Sequence, residues 1–300
     1  MNIIFMGTPD FSIPSLEKIF QSDHKLIAIV TAPDKERGRG QKLSFTPVKE
    51  FALKNNIPLF QPDRLKDEDF LRTLKGLAPD LFVVVAFRIL PRELYTIPKY
   101  GSINLHASLL PKYRGAAPIQ WSIINGDKET GVTTFALEDK VDTGNIYIQK
   151  KIEILDNDNF GIVHDKLSTI GAEAVLETIN LISTGNYVFH DQDDSLSSSA
   201  PKITKDSGLI DWNKPASEIN NLIRGLSPYP GAYFFHKDRL IKIYKASINR
   251  EIENNPGIIY AQKDDLIIGC GQFALNILEL QLEGKKKLTT SEFLRGFNFI

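Results

Sequence analysis

Asn104, His106 and Asp142 are the residues whose types and spacing could perform chemistry. In an extended segment alternate side chains share a face, and Cα atoms two residues apart lie about 6.6 Å from each other, so Asn104 and His106 can both reach one small group. Such a pair can donate hydrogen bonds to an oxyanion. Asp142 could orient His106 or take up a proton through water. Direct acyl transfer, in which the amine of one bound substrate attacks the carbonyl of another, fits these side chains.

Each of these residues also has a structural interpretation. His106 alone could be a hydrogen-bonded core histidine, because buried polar groups generally find partners, but Asn104 two residues earlier favours the chemical role. Asp142 could simply close a turn with its side chain. A serine hydrolase built on Ser108 would need a G-x-S-x-G elbow, and an aspartic protease would need a second Asp-Thr-Gly; the sequence contains neither. The five histidines show no ligand spacing, so the sequence gives no support for a metal.

Apolar patterning indicates how the chain positions these residues. Short apolar strands alternate with helical segments up to about residue 184, which predicts an α/β fold with a doubly wound, mostly parallel sheet. The predicted strands are residues 2–6, 26–31, 58–61, 81–87, 102–106 and 132–137. Ligands of such sheets bind beyond the carboxyl ends of the strands, where His106 lies. The first turn, residues 7–11, has one glycine and a proline in place of G-x-G-x-x-G, which argues against a dinucleotide.

A change of composition marks a second domain. Residues 185–206 are too polar to build a core and predict a linker between a domain of residues 1–184 and one of residues 207–300. One amphipathic helix is predicted at residues 217–226. Five short strands separated by Asp, Asn and Gly turns then predict a small β-barrel. These strands are residues 232–236, 239–247, 258–261, 266–269 and 275–281.

Length and composition limit the classes of protein to which the chain can belong. The 300 residues are 42% hydrophobic and 24% charged with a net charge of −1, which predicts a soluble globular protein of two domains. The single cysteine, Cys270, excludes an internal disulfide. The amino-terminal apolar run is too short for a signal peptide or a membrane span, so a cytoplasmic protein that does not bind membranes is predicted. No obligate protein partner is evident from the sequence.

The motifs together resemble those of the folate-dependent formyltransferases. The likeness rests on Asn-Leu-His at residues 104–106, on the Ser-Leu-Leu-Pro loop that follows, and on the downstream Asp142. It implies that Asn104, His106 and Asp142 form a catalytic triad, that 10-formyltetrahydrofolate is the formyl donor, and that no metal takes part. It also implies a Rossmann-like catalytic domain joined to an OB-like barrel. The folate-binding residues implied are Ser108, Leu109, Leu110, Pro111, Phe87 and Ile89.

Within this family the chain is most similar, over its whole length, to members that formylate a charged tRNA. The similarity includes residues 6–11, an Arg-Gly-Arg-Gly loop at residues 37–40, and Gly-Lys-Lys-Lys at residues 284–287. It implies that the acceptor is the α-amino group of methionyl initiator tRNA, which the carboxyl-terminal domain also binds. A basic loop is usually only solvated. Here the resemblance implies that Arg37, Arg39 and Lys42 approach tRNA, with salt-dependent binding if they contact phosphates.

One segment departs from that subgroup. Residues 87–91, Phe-Arg-Ile-Leu-Pro, lack a glycine found after the fourth strand and are shorter than expected. A similar segment occurs in sugar-nucleotide N-formyltransferases, so transfer to a 4-amino sugar nucleotide is the alternative activity. A glycinamide ribonucleotide formyltransferase would leave residues 207–300 unexplained. The alternative from another class is a folate- or tRNA-binding protein without catalysis, against which the intact Asn104, His106 and Asp142 argue.

Overall fold

The computed structural model describes residues 1–37, 42–252 and 255–299. The chain forms two compact units. The first unit comprises Met1–Gly115, Gly131–Ile152 and His164–Ser199. The second unit comprises Ala116–Thr130, Glu153–Val163 and Ala200–Ile300. The second unit is therefore assembled from three stretches of the sequence.

Strands and helices alternate through the amino-terminal half, and strands dominate the carboxyl-terminal third. The strands are β1 Asn2–Gly7, β2 Lys25–Val30, β3 Lys35–Arg37, β4 Lys42–Ser44, β5 Leu59–Phe60, β6 Leu81–Val85, β7 Ser102–His106, β8 Arg114–Gly115, β9 Glu129–Ala136, β10 Ile146–Glu153, β11 Ser199–Ala200, β12 Ala232–His236, β13 Arg239–Asn249, β14 Ile259–Gln262, β15 Asp265–Gly269, β16 Ala274–Leu282 and β17 Leu288–Thr289. The helices are α1 Ile13–Phe20, α2 Pro47–Lys54, α3 Glu68–Gly76, α4 Arg92–Tyr95, α5 Pro118–Ile124, α6 Phe160–Thr184, α7 Ala216–Gly225 and α8 Thr290–Leu294.

The first unit is built on a seven-stranded sheet in the order β10-β9-β7-β6-β1-β2-β5. The pairs from β7 to β5 are all parallel, and β9 joins β7 antiparallel. All five residues of β6 are buried, because a central parallel strand is covered by helices on both faces and must be apolar throughout. The predicted α/β class with a mostly parallel sheet is confirmed.

Two helix starts show why these segments are helical. Thr46 precedes α2, and its Oγ1 accepts a hydrogen bond from the backbone N–H of Lys49 at 3.0 Å. Pro47 occupies the first helical position, where a missing N–H costs nothing. Asp67 caps α3 in the same way, accepting from the N–H of Phe70 at 2.9 Å, so each helix begins where a side-chain oxygen satisfies an unpaired backbone donor.

The second unit is organised around an antiparallel sheet in the order β12-β13-β16-β15-β14, with β17 paired to β16. The five strands and the helix predicted for residues 207–300 are all present, within two residues at each end. Helix α7 packs on β13 and contributes Ile219 and Ile223 to a core that includes Ile241 and Ile243. Cys270 is buried in the same core, and this burial raises the pKa of its thiol to about 11.

Strands β3, β4, β8 and β10 of the first unit were missing from the sequence prediction. Strand β10 lies at the edge of the large sheet, and its burial alternates, so its Gln-Lys-Lys segment resembles a loop. Strands β3 and β4 pair antiparallel as a short hairpin where a solvated loop was predicted. Within the described ranges, no helix is long and apolar enough to cross a lipid bilayer.

Candidate active site

Strand β7 carries Asn104 and His106 at its carboxyl end. In the sheet Asn104 pairs with Val84 of β6, and His106 pairs with Thr133 of β9. Because strand side chains alternate, Asn104 and His106 point to the same face. The half-buried carboxamide of Asn104 has no hydrogen-bond partner among the described residues, which leaves its donors and its acceptor open to a ligand.

A backbone carbonyl fixes the ring of His106. The side chain is only 6% exposed, and its Nε2 lies 2.8 Å from the carbonyl oxygen of Tyr113. A carbonyl oxygen only accepts hydrogen bonds, so Nε2 is the donor and carries a proton. The other ring nitrogen, Nδ1, lies 3.8 Å from Oδ2 of Asp142. That separation is too long for a direct hydrogen bond, so Nδ1 is able to form a hydrogen bond to a ligand while it remains close to a carboxylate.

Asp142 reaches His106 from the turn between β9 and β10. The residue is 8% exposed, and Oδ2 accepts a hydrogen bond from the backbone N–H of Gly115 at 2.9 Å. The backbone of Asp142 has φ of 56°, in the left-handed region that aspartate tolerates better than most residues. Gly144 completes the turn, because a Cβ there would lie 1.8 Å from the carbonyl oxygen of Ala136. The Asp-Thr-Gly sequence thus supplies both the left-handed residue and the close approach.

The loop after His106 is held by side chains of the neighbouring strands. The Thr133 hydroxyl donates to the carbonyl oxygen of Ser108 at 2.7 Å and accepts from the N–H of Leu110 at 3.1 Å. The amide of Gln149 donates to the Leu110 carbonyl at 2.8 Å and to the Thr133 hydroxyl at 3.0 Å. The Ser108 hydroxyl donates to the Lys112 carbonyl at 2.6 Å, and a cis peptide precedes Pro111. Leu109 is half-buried, so the loop presents an apolar side chain on a fixed backbone.

The segment after β6 combines one anchored and one open side chain. The Arg88 guanidinium donates to the carbonyl oxygens of Pro62 at 2.8 Å and Asp63 at 3.0 Å, and burial lowers its pKa. Phe87 packs against the core of the sheet, whereas Ile89 is 76% exposed. A cavity of about 600 Å³ lies beyond the end of β5, lined by residues 60–64 and by α3. Its lining in the described part of the chain includes none of the predicted site residues.

The basic loop is described only in part. Arg37 and Lys42 pair with each other in the hairpin of β3 and β4, and Arg39 lies outside the described residues. Lys49, which belongs to the same positive cluster in the sequence, forms an ion pair with Asp34 and lies over the ring of Phe45. Hydrogen bonds from Gln61 and then from Lys49 lower the pKa of Asp34. Lys49 therefore anchors the base of the hairpin. Near the carboxyl terminus, the Lys287 ammonium lies 2.7 Å from the Glu279 carboxylate.

Sequence reasoning missed several groups around the site. The carbonyl of Tyr113 and the N–H of Gly115 are backbone groups, which no residue type reveals. Gln192 donates from Nε2 to the carbonyl oxygens of Asp142 at 3.0 Å and Gly144 at 2.8 Å. It lies in the polar stretch predicted to be a linker, whose composition hides its role. In the described part of the chain no group of three or more His, Cys, Asp or Glu side chains could hold a metal ion.

The first unit is thus a doubly wound sheet with an Asn-x-His strand end beside an aspartate, and the second is built on an antiparallel sheet. The formyl transferase family matches residues 1–179, and the formyl transferase carboxyl-terminal domain matches residues 202–298. The chain therefore belongs to the formyltransferase family.

Relatives of known name match along the whole chain. A methionyl-tRNA formyltransferase of Caldanaerobacter subterraneus subsp. tengcongensis is 48% identical over 99% of this chain and 97% of that protein. A methionyl-tRNA formyltransferase of Geobacter sulfurreducens is 44% identical over 99% of this chain and 94% of that protein. WlaRD, a sugar 3N-formyl transferase solved with dTDP and 5-N-formyl-THF, superimposes with a TM-score of 0.71 at 23% identity, covering 95% of this chain and 99% of that chain. At that identity the likeness shows the fold alone.

Proposed function

We propose that this protein transfers the formyl group of 10-formyltetrahydrofolate to the α-amino group of methionyl initiator tRNA, giving N-formylmethionyl-tRNA. The observation that carries the proposal is the 48% identity to a methionyl-tRNA formyltransferase over 99% of the chain, which includes the second unit as well as the first. The likeness to a sugar formyltransferase is at 23% identity and concerns the fold, so it does not favour a sugar nucleotide as the acceptor.

Asn104 and His106 are the donors to the oxyanion in this proposal. The attacking amine forms a bond to the formyl carbon, and the carbonyl oxygen becomes negatively charged until the bond to N10 of the folate breaks. The unpartnered carboxamide of Asn104 supplies one donor. Nε2 of His106 is occupied by the Tyr113 carbonyl, so the second donor has to be a protonated Nδ1. Because Nδ1 lies 3.8 Å from Asp142, its proton is not consumed by a direct bond to the carboxylate.

Asp142 has two tasks in this scheme. Its negative charge lies 3.8 Å from Nδ1 of His106 and favours the ring while that ring donates to the oxyanion. Through a water molecule it takes the proton that the amine loses on attack, and it returns that proton to N10 of tetrahydrofolate as N10 leaves. The hydrogen bond from the Gly115 N–H holds Oδ2 in a position that serves both tasks. No side chain of the protein becomes acylated.

The folate contacts are assigned to the two segments beside the strand ends. Ser108, Leu109, Leu110 and Pro111 form a loop whose backbone is fixed by hydrogen bonds, so it can offer a preformed surface. Ile89 exposes 76% of its area, which makes an apolar side chain available to the rings of the cofactor. Phe87 is half-buried and stabilises that segment from the core side.

The tRNA contacts are assigned to the basic segment of residues 37–42 and to the carboxyl-terminal domain, residues 207–300. Arg37, Arg39 and Lys42 place three positive charges within six residues of the sequence, and these can meet phosphates of the acceptor stem. Asp34, which forms an ion pair with Lys49, directly precedes β3. The support for this assignment is the sequence of the loop, together with the whole-chain likeness to enzymes named for a tRNA substrate.

A direct assay tests the proposal. The protein is mixed with 10-formyltetrahydrofolate labelled in its formyl group and with methionyl initiator tRNA, and the label is followed into tRNA. A parallel reaction contains a 4-amino sugar nucleotide in place of tRNA. We expect label in the tRNA alone. Label in the sugar nucleotide would select the alternative enzyme, and label in neither, with binding retained, would select the non-catalytic protein.

A further inference from the structure

Gln192 connects two parts of the candidate active site through one side-chain amide. Its Nε2 donates to the carbonyl oxygens of Asp142 at 3.0 Å and of Gly144 at 2.8 Å. Its Oε1 accepts from Nε of Arg114 at 3.1 Å and from Nη2 at 2.7 Å. Carbonyl oxygens only accept and a guanidinium only donates, so these partners fix the orientation of the amide. Both N–H groups and the oxygen of the amide are thereby satisfied.

These bonds act on the turn that presents the Asp142 carboxylate. Asp142 has φ of 56°, a conformation that is less favourable than the right-handed helical one for a residue with a Cβ and therefore has to be held by its surroundings. The bonds from Gln192 fall on the carbonyl of Asp142 itself and on that of Gly144. On its other side, the turn lies against the carbonyl oxygen of Ala136, and only a glycine at position 144 leaves room for that oxygen. The position of the carboxylate beside His106 is thus set from two sides.

Arg114 connects Gln192 to the loop that follows His106. It precedes Gly115, whose N–H binds the Asp142 carboxylate at 2.9 Å. The Arg114 side chain is 16% exposed and also pairs with Asp194 at 2.7 Å. Its backbone N–H donates to the carbonyl oxygen of Ser198 at 2.8 Å. The loop and the Asp142 turn are therefore linked twice, once directly through Gly115 and once through Arg114 and Gln192.

We propose that Gln192 is a positioning residue for formyl transfer, which acts through Asp142. This rests on the function proposed above. Gln192 touches no reacting atom in this scheme. It keeps the Asp142 carboxylate 3.8 Å from Nδ1 of His106, close to the ring but beyond direct hydrogen-bond distance. A displacement of about 1 Å in such an arrangement can reduce the rate about a hundredfold.

Gln192→Glu tests the proposal with little change in size. Glutamate still accepts from Arg114, but it offers no donor to the two carbonyls of the turn. We expect kcat to fall at least about tenfold, with KM for the folate and for methionyl-tRNA within about twofold of the wild type. Gln21→Glu is the matched control, because Gln21 is exposed and follows α1, and it should retain wild-type kcat. Gln192→Met, which removes the bonds without adding charge, replaces Gln192→Glu if that variant does not fold.

A double-mutant cycle with Asp142→Asn separates positioning from stability. Single-turnover rates are measured for the wild type, both single variants and the double variant. If Gln192 acts through Asp142, adding Gln192→Glu to Asp142→Asn lowers the rate less than about twofold. Independent, multiplicative losses, or a Gln192→Glu loss that lies entirely in KM, would overturn the positioning role. A wild-type enzyme that forms no formylmethionyl-tRNA would instead overturn the proposed function.

Discussion

Thr133 pairs with His106 across strands β9 and β7, and its hydroxyl binds the loop that follows His106. One hydroxyl donates to the carbonyl of Ser108 and accepts from the N–H of Leu110 at the same time. The strand that supports the histidine thus also fixes the loop assigned to folate. The position of His106 and that of the loop therefore depend on the same pair of strands.

Replacing Thr133 with valine should loosen this loop. Valine keeps the shape but leaves the Leu110 N–H and the Ser108 carbonyl without their partner, a loss of about 1–3 kcal/mol in the free energy of unfolding. We expect KM for 10-formyltetrahydrofolate to rise while kcat changes less. Thr134→Val is the matched control, because the Thr134 hydroxyl binds Thr178 and does not reach the loop. Urea denaturation and steady-state kinetics of both variants measure these effects. An equal rise of the folate KM in the two variants would contradict the prediction.

Removing the imidazole should abolish a transition-state interaction. We expect His106→Ala to lower kcat by at least about a hundredfold with little change in tRNA affinity, because the donor acts only on the developing oxyanion. Filter binding of methionyl-tRNA and single-turnover formylation would measure the two effects separately. A variant that loses tRNA binding together with activity would indicate that His106 is a structural histidine, hydrogen-bonded to Tyr113 for stability alone.

Replacing Asp142 with asparagine separates the effect of its negative charge from that of its hydrogen bond to the Gly115 N–H. Asparagine at this position still offers an oxygen to the Gly115 N–H, so Asp142→Asn should fold with a melting temperature near that of the wild type. It has no negative charge and cannot take up a proton, and we expect a loss of about 10²–10⁴ in kcat. Single-turnover formylation of methionyl-tRNA would measure this loss, and an unchanged rate would show that another group accepts the proton of the amine.

Much of the fold could be predicted because its signals are local. Strand β6 is apolar on both faces, and the five predicted strands of the second unit are separated by turn residues. Strand β10 was not predicted, because an edge strand tolerates polar residues on its exposed face. Its Gln149 and Lys150 interrupt the apolar pattern although the backbone is paired in the sheet.

The candidate site could be predicted only as a set of residue types. Asn104, His106 and Asp142 carry side chains whose chemistry is visible in the sequence. The atoms that orient them are mostly backbone groups, such as the Tyr113 carbonyl that fixes the tautomer of His106. The contribution of Gln192 depends on long-range contacts, because 50 residues separate it from Asp142. Such a contact has no signature in composition or periodicity.

The basic segment of residues 37–42 should contribute to tRNA binding without affecting folate binding. If Arg39 contacts a phosphate, Arg39→Ala should weaken tRNA binding and lower the slope of log affinity against log salt concentration by about one. Folate binding should be unchanged, since the hairpin belongs to a different segment from the loop after His106. Arg72→Ala is the control, because Arg72 is an exposed arginine of α3 that pairs with Asp69. Equal salt slopes for Arg39→Ala and the wild type would show that Arg39 does not contact a phosphate.

Cys270 should make the protein lose stability in alkali. Burial raises the pKa of its thiol from 9.0 to about 11, so the folded state holds this proton more tightly than the unfolded state. Its contribution is fully present below pH 9 and is lost as the pH rises towards 11. Between pH 8 and pH 10.5 this amounts to about 2 kcal/mol. Urea denaturation at the two pH values should therefore show a smaller loss in Cys270→Ala than in the wild type, whatever the variant's stability at pH 8. Equal losses would mean that the thiolate is solvated in the folded protein, contrary to its complete burial.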